Sequence, residues 1–221
     1  MKTTLYLIPV LAAFVFCVLR AEFLKERRQI HFFKPAATLT VIAVALLSFL
    51  EPTQNLTYAI GVLVGLIFCF GGDVALMFQE NRRAFVIGLA LFLLGHIAYA
   101  GVFMALGRFS AWDIASTIVL LAAGAGIYTL IKPNLCTLQI PVIAYIVVIS
   151  VMVSRAISTL ASPLFTGGQA ALVAIGAILF YISDAILATA RFCKPWRYHR
   201  ISLVFYYSGQ SLIALAASYF A

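Results

Sequence analysis

The sequence predicts an all-α integral membrane protein with eight transmembrane helices, forming a single polytopic membrane domain over residues 1–221. The first reason is composition, because 64% of the residues are hydrophobic and only 10% are charged. A soluble domain is about 45–50% apolar and about 25% charged. The second reason is that apolar stretches close to 20 residues, the length that crosses a bilayer, follow one another along the chain. They leave no room for a separate soluble domain.

The predicted helices are separated by short loops that contain charged residues, proline or glycine. The eight spans cover residues 3–20, 35–50, 56–78, 84–106, 111–131, 138–154, 167–192 and 201–220. The first span resembles a signal peptide, because Lys2 precedes an apolar run. No small-residue cleavage site follows it and the next residues are densely charged, so we expect a retained helix.

The basic residues predict the orientation of the helices. Twelve of the 15 Lys and Arg residues fall in or beside the loops after the first, third, fifth and seventh helices, and three fall on the other side. Cytoplasmic loops carry an excess of basic residues, so we expect both termini outside the cytoplasm. The net charge of +8 then reflects orientation and contact with anionic membrane lipids. We exclude nucleic acid as a partner.

Several residues recur in the same order and predict an internal duplication, with four helices in each half and both halves in the same orientation. The matched positions are Lys34-Pro35 opening the second helix and Lys132-Pro133 before the sixth, Asp73 and Asp184, and Gly95-His96 and Gly209-Gln210. A chance match of short motifs is the alternative that the sequence leaves open.

Two acidic residues lie inside predicted spans, Asp73 in the third helix and Asp184 in the seventh. A charge at bilayer depth costs roughly 2.5–3.5 kcal/mol on insertion scales, so such residues normally face a bundle interior or a wet cavity. Both lie toward the cytoplasmic ends of their helices, and we predict that they form one catalytic site. Two neighbouring carboxyls can share a proton, one acting as acid while the other stays ionised. Alternatively, each carboxylate only accepts hydrogen bonds or pairs with a basic residue, which for Asp73 could be Arg82 or Arg83.

Polar side chains in the fourth and eighth helices are the next candidates. His96 and Tyr99 share a helix face because they are three residues apart. Tyr206, Tyr207 and Gln210 make a polar stripe in the eighth helix. The alternatives are a satisfied buried histidine, and tyrosines that only pack or belong to the aromatic belt at the membrane surface.

Three further residues complete the predicted site. Tyr145 lies in the sixth helix, and Tyr181 precedes Asp184 by three residues and could donate its hydroxyl to that carboxylate. Lys34 is expected at the cytoplasmic mouth of the second helix. It either snorkels to the interface, or meets a lipid phosphate or balances the aspartates.

Motifs for several other chemistries are absent from the sequence. The three histidines form no HExxH or HxxxH motif, and the four cysteines are scattered without a CxxC pair. We therefore expect no metal and no cofactor. A serine hydrolase of the usual type is unsupported, because no G-x-S-x-G elbow occurs.

The chain resembles the YhhN-type lysoplasmalogenases over nearly its whole length. The resemblance rests on Lys34-Pro35, Gly72-Asp73-Val74-Ala75-Leu76-Met77, Phe85, Gly88, Phe92, Gly95-His96, Tyr99, Pro141-Val142, Tyr145, Met152, Gly176-Ala177, Phe180, Ser183-Asp184, Leu187-Ala188, Phe192, Tyr207 and Gly209-Gln210. Each fragment alone is common in membranes, but their order and spacing together are fairly specific.

The resemblance implies an eight-helix membrane hydrolase whose activity is not known to require a metal. Its substrate would be a lysophospholipid with a vinyl ether, a lysoplasmalogen, split into a fatty aldehyde and glycerophosphoethanolamine or glycerophosphocholine. We expect a multi-pass protein of the bacterial inner membrane with periplasmic termini; the sequence gives no oligomeric state.

Two carboxyls suit this chemistry, because a vinyl ether is cleaved by protonating its β-carbon and adding water to the resulting oxocarbenium ion. The logic parallels glycoside hydrolysis. Asp73 and Asp184 would divide the two roles, and which is the acid is left open. His96, Tyr207 and Gln210 would orient water or the glycerol hydroxyl, and Lys34 would meet the phosphate.

Two other functions fit part of the pattern. Parallel repeats and intramembrane carboxylates also suit a proton-coupled transporter of a small amphiphile or lipid. A non-catalytic lipid-binding or scaffold protein is the third possibility. Turnover by purified protein in detergent separates an enzyme from both, because a carrier does nothing without compartments.

Overall fold

The computed structural model describes residues 3–51, 55–193 and 199–220. In this part of the chain there are eight helices long and apolar enough to cross a membrane, which confirms the predicted fold class. They are α1 (Leu7–Leu24), α2 (Arg27–Leu47), α3 (Leu56–Leu76), α4 (Arg82–Leu106), α5 (Ala111–Ile131), α6 (Gln139–Ser158), α7 (Gly167–Phe192) and α8 (Ser202–Ala216). Short 3-10 turns extend several ends, including Thr3–Tyr6 before α1 and Ala217–Tyr219 after α8.

The connection between the first two helices is much shorter than predicted. α1 continues to Leu24, and Lys25 ends it in the left-handed conformation (φ 56°, ψ 33°), with its N–H bonded to the carbonyls of Ala21 and Glu22. α2 already begins at Arg27. The prediction that Lys34 and Pro35 open the second helix is therefore wrong, because both lie two turns inside it. The helix extends beyond the bilayer, where water solvates charged side chains. A cluster of charged residues therefore does not mark the end of the helix.

The helices form a bundle in which α8 is the most enclosed and α5 the least. α3 packs along α4 and α7 along α8, while α8 also contacts α1, α2 and α3. α6 lies between α4 and α5 and contacts α7. This arrangement surrounds α8 with the helices that carry Lys34 and Asp73, and it leaves α5 at the edge of the bundle.

Glycines bring two helix pairs together. A Cβ on Gly95 of α4 would lie 3.1 Å from the Gly65 carbonyl oxygen of α3, and one on Gly209 of α8 would lie 2.6 Å from the Gly176 carbonyl oxygen of α7. Small residues permit such close helix approach in lipid. Gly95 and Gly209 are also partners in the predicted internal repeat. The similar packing agrees with that repeat, which stays a prediction.

Gly209→Ala is expected to lower the free energy of unfolding by about 1–3 kcal/mol, the usual cost of overpacking. The added methyl would collide with the Gly176 carbonyl, and this backbone atom cannot move aside as a flexible side chain could. Gly126→Ala is the matched control, because a Cβ there meets no atom within 4 Å. Unfolding of both variants in detergent checks this expectation. Equal stability of the two variants would contradict it.

A third acid inside the bundle, Asp113, is 3% exposed and lies where α4 and α6 end and α5 begins. Its carboxylate caps α5 by accepting from the Ser110 backbone N–H at 2.6 Å. The same side chain pairs with Arg155 Nη1 at 2.7 Å. Asp113 is therefore fully engaged in holding α5 and α6 together, which separates it from the two acids described next.

Candidate functional site

A polar cavity of about 710 Å³ lies at the end of the bundle where the α1–α2, α3–α4 and α7–α8 connections meet. Its rim carries charged and polar side chains from these connections. They are Glu22, Lys25, Arg27, His31, Glu80, Asn81, His199 and Arg200. Two ion pairs lie at this rim, Arg27 with Glu80 at 2.5 Å and Arg200 with Glu22 at 3.1 Å.

Asp73 and Asp184 both line this one cavity. They come from α3 and α7, and the two residues are 111 positions apart in the chain. Asp73 lies about one turn before the end of α3, and Asp184 about two turns before the end of α7. The structure therefore brings the two predicted catalytic residues together, although each one has its own set of partners.

Asp73 is surrounded by donors. It is 2% exposed, and its Oδ2 accepts hydrogen bonds from Thr38 Oγ1 and from the Tyr206 hydroxyl, both at 2.7 Å. Lys34 Nζ lies 3.5 Å from Oδ1. Of the two readings of Lys34, the structure favours a cation that balances an aspartate over one that snorkels to the interface. The alternative partners Arg82 and Arg83 are wrong, because the position of Lys34 inside α2 brings its ammonium to the carboxylate instead.

Asp184 has a sparser environment. Its side chain is 14% exposed, and its Oδ2 accepts a hydrogen bond from the Tyr145 hydroxyl at 2.6 Å. His96 Nε2 lies 3.6 Å from the same oxygen. No cation other than a protonated His96 pairs with this carboxylate among the described residues.

His96 has a defined tautomer. Its Nδ1 lies 2.6 Å from the Phe92 carbonyl oxygen, and a carbonyl can only accept, so Nδ1 carries a hydrogen. Nε2 is buried and has no hydrogen-bond partner among the described residues. In the neutral ring Nε2 therefore directs its lone pair toward Asp184. The ring also lies edge-on to Tyr145, with 5.2 Å between centroids.

The predicted hydrogen bond from Tyr181 to Asp184 is wrong. The Tyr181 hydroxyl donates to the Leu120 carbonyl of α5 at 2.8 Å. Its long side chain carries the hydroxyl past its own helix to the neighbouring one, and Tyr145 of α6 takes the position at the carboxylate. Tyr181 still lines a cavity, the apolar slot described below.

The remaining predicted residues lie behind the cavity wall. Tyr99 and Gln210 are buried and bonded to each other, the Tyr99 hydroxyl donating to Gln210 Oε1 at 2.6 Å. Tyr207 donates to the Lys34 backbone carbonyl at 3.1 Å. None of the three lines either of the cavities formed by the described residues. Their contact with substrate stays a prediction, and their observed contacts hold α4 to α8 and α8 to α2.

Of two further residues that contact Asp73, Thr38 was not among the sequence candidates, and Tyr206 was singled out only as part of the polar stripe of the eighth helix. Thr38 lies one turn after Lys34, and Tyr206 directly precedes the predicted Tyr207. Both donate to the carboxylate, and Tyr206 also lines the polar cavity. The polar stripe pointed to Tyr206, but nothing in the sequence predicted that its hydroxyl contacts Asp73.

A second cavity, the apolar slot, adjoins the polar one. It has a volume of about 90 Å³ and lies among α4, α5, α6, α7 and the last turn of α3. It is lined mainly by Leu, Ile, Val and Phe side chains, and it is partly open at the surface of the bundle. Leu76, Phe92, Asp184 and Leu187 line both cavities. Asp184 therefore lies at the boundary between a polar space and an apolar one.

Fold and site together define a class: a polytopic membrane protein whose intramembrane carboxylates face an internal cavity, as in membrane enzymes and proton-coupled carriers. Comparison with known proteins narrows this class. The sequence model of the YhhN family matches residues 29–217, and the chain belongs to the YhhN family. This confirms the resemblance read from the sequence.

Several relatives carry a functional name. A protein named lysoplasmalogenase from Mycobacterium bovis is 30% identical over 154 residues, which are 67% of this chain and 56% of that protein. Lysoplasmalogenase TMEM86A of Bos taurus is 32% identical over 159 residues, 71% of this chain and 64% of the relative. Lysoplasmalogenase TMEM86B of Homo sapiens is 30% identical over 159 residues, 71% and 63% of the two chains. The chain thus spans less than two thirds of the length of these relatives. No solved structure matches it.

Proposed function

We propose that this protein is a membrane hydrolase that cleaves the vinyl ether bond of lysoplasmalogens, giving a fatty aldehyde and a glycerophospho-headgroup. The names of its relatives support the substrate class. The observation that carries the chemistry is that Asp73 and Asp184 line one cavity with unlike surroundings. We therefore assign them different roles in a carboxylate acid–base mechanism.

Asp73 is the carboxylate that stays ionised. Two hydroxyls donate to it and an ammonium lies 3.5 Å away, and these contacts offset part of the cost of burying its negative charge. Its negative charge stabilises a cation that forms in the cavity. It can also accept a proton from the water that attacks this cation.

Asp184 is the acid. His96 Nδ1 holds its hydrogen on the Phe92 carbonyl, so a proton shared by His96 and Asp184 sits either on Nε2 or on the carboxyl. The 3.6 Å gap exceeds a hydrogen bond, and such contacts often tighten only when substrate binds. The pair therefore holds one transferable proton beside the cavity, and Tyr145 fixes the carboxyl through Oδ2.

The reaction then runs in three steps. Asp184 protonates the β-carbon of the vinyl ether, and the double-bond electrons form the new C–H bond, leaving an oxocarbenium ion next to Asp73. Water adds to the α-carbon of this ion and loses a proton to a carboxylate. The hemiacetal collapses to the aldehyde and the glycerol hydroxyl, so the net change is the addition of one water.

The headgroup would occupy the polar cavity. Lys34 Nζ has one carboxylate at 3.5 Å and faces the cavity, so it can also meet the lipid phosphate. Lys25 and His31 add cationic or polar groups at the rim. With the termini outside a bacterial inner membrane, as the basic residues predict, the cavity would take substrate from the cytoplasmic leaflet.

Purified protein in detergent is expected to release fatty aldehyde from lysoplasmenylethanolamine with no membrane gradient. The saturated-ether analogue is the matched control and should release none, because it has no double bond to protonate. Aldehyde formation is measured directly. A protein inactive in detergent that moves the lipid across proteoliposomes in response to a proton gradient would instead be the proton-coupled transporter.

A further inference from the structure

We propose that the apolar slot binds the first carbons of the substrate's alkenyl chain, with Ile127 of α5 controlling what fits. This inference rests on the proposed function, because it names where the chain of that substrate lies. The occupant we commit to is the hydrocarbon next to the ether oxygen, not a bulk bilayer lipid.

Continuity with the acid is the first argument. Asp184 lines both the polar cavity and the slot. A lysoplasmalogen is polar on one side of its vinyl ether and apolar on the other. With the headgroup in the polar cavity and the chain in the slot, the double bond lies where the two spaces meet, beside the proposed proton donor.

Direction is the second argument. The slot begins at helix ends, where the rings of Phe85 and Phe192 pack edge to face at 5.8 Å and Arg191 lies 4.9 Å above Phe85. It runs past Asp184 to Gly124 and Ile149, near the middles of α5 and α6. A lipid of the same leaflet lies in the same direction, with its headgroup at the surface and its chain toward the bilayer centre.

Size is the third argument. With roughly 30 Å³ for a group the size of water or a methylene, a slot of about 90 Å³ holds only about three carbons. The rest of the chain would leave through the open side of the slot. The slot is therefore suited to discriminate between substrates by branching close to the ether rather than by total chain length.

Ile127 is the residue best placed to test this. It lines the slot from α5, the least enclosed helix, and is only half-buried. Ile127→Trp fills the slot, while Leu130→Trp on the same helix is the control because Leu130 is 65% exposed. Ile127→Ala widens the slot without the risk of overpacking.

The kinetic test compares a long-chain lysoplasmalogen with an ethenyl ether analogue, whose chain ends at the double bond. Ile127→Trp should lower kcat/KM for the long chain by about 10–200-fold, the range for a misfit in an apolar pocket, and leave the ethenyl analogue unchanged. Ile127→Ala should raise the relative rate on a chain with a methyl branch at its third carbon. Unchanged selectivity in both variants would overturn the proposal.

A binding test needs no turnover. A saturated-ether lysophosphoethanolamine with a diazirine at the fourth chain carbon should label slot residues of α5 and α6, less so in Ile127→Trp and equally in Leu130→Trp. Equal labelling by a diacyl phosphatidylethanolamine with the same diazirine would identify a bulk-lipid groove and overturn the proposal. Slot labelling without vinyl ether cleavage would end the hydrolase assignment and keep the chain site. Vinyl ether cleavage that is unchanged by both Ile127 substitutions would keep the hydrolase assignment and end the proposed chain site.

Discussion

Asp184→Asn is expected to lower kcat for vinyl ether cleavage by about 10²–10⁴-fold, the usual contribution of a general acid. The amide has nearly the same shape, and it still accepts the hydrogen bond that the Tyr145 hydroxyl now donates at 2.6 Å. It has no acidic proton to transfer to carbon. Aldehyde release by the purified variant is the measurement, with unfolding in detergent as a check that the bundle is intact.

Two tyrosine variants test the same assignment of Asp184 independently. Tyr145→Phe removes the hydroxyl at Asp184 and should lower the rate. Tyr181→Phe removes a hydroxyl that donates to the Leu120 carbonyl and not to Asp184, and it should lower kcat less than Tyr145→Phe does. A folded Asp184→Asn protein with near-full activity, or equal effects of the two tyrosine changes, would refute Asp184 as the acid.

Lys34→Met is expected to lower the free energy of unfolding by about 3–5 kcal/mol, the cost of leaving one partner of a buried ion pair alone. Asp73 is 2% exposed, and Lys34 is the cation that lies 3.5 Å from it. Removing the carboxylate's charge as well should relieve the cost. The double variant Lys34→Met, Asp73→Asn should therefore be more stable than Lys34→Met alone.

Lys132→Met is the matched control, because Lys132 is exposed and is the counterpart of Lys34 in the predicted repeat. Surface changes of this kind usually stay within about 0.5 kcal/mol. Unfolding of all four proteins by a denaturing detergent gives the comparison. A double variant no more stable than Lys34→Met would show that the lost stability comes from packing of the lysine stem rather than from Asp73.

The number and class of helices could be predicted from sequence because burial in lipid acts on composition over about 20 residues. The bounds of α5 and α7 were predicted as well, but the end of α1 and the start of α2 were not, because the bilayer constrains only the residues inside it. Arg27 and Arg28 lie in the first turn of α2, although a hydropathy argument places them in a loop. Lys34 shows the consequence, since a residue expected at a mouth is 8% exposed inside the bundle.

Of the candidate site, the sequence identified the two carboxylates but not which hydroxyls bond to Asp73. Thr38 and Thr40 look alike in sequence, yet Thr40 bonds to its own helix at the Ala36 carbonyl, whereas Thr38 reaches Asp73. Likewise, Tyr206 and Tyr207 differ only by about 100° around α8. The rotation of a helix about its axis depends on the neighbouring helices, so it cannot be predicted from the residue pattern of that helix alone.

The position of Asp184 between two unlike spaces bears on what happens after cleavage. The two products of the proposed reaction differ in solubility, since the fatty aldehyde is hydrophobic and the phosphodiester is soluble in water. An enzyme with a single exit would have to pass one of them through an unfavourable medium. In the proposed site the aldehyde would lie against the apolar slot and the phosphodiester in the polar cavity, so the two products could leave by different routes.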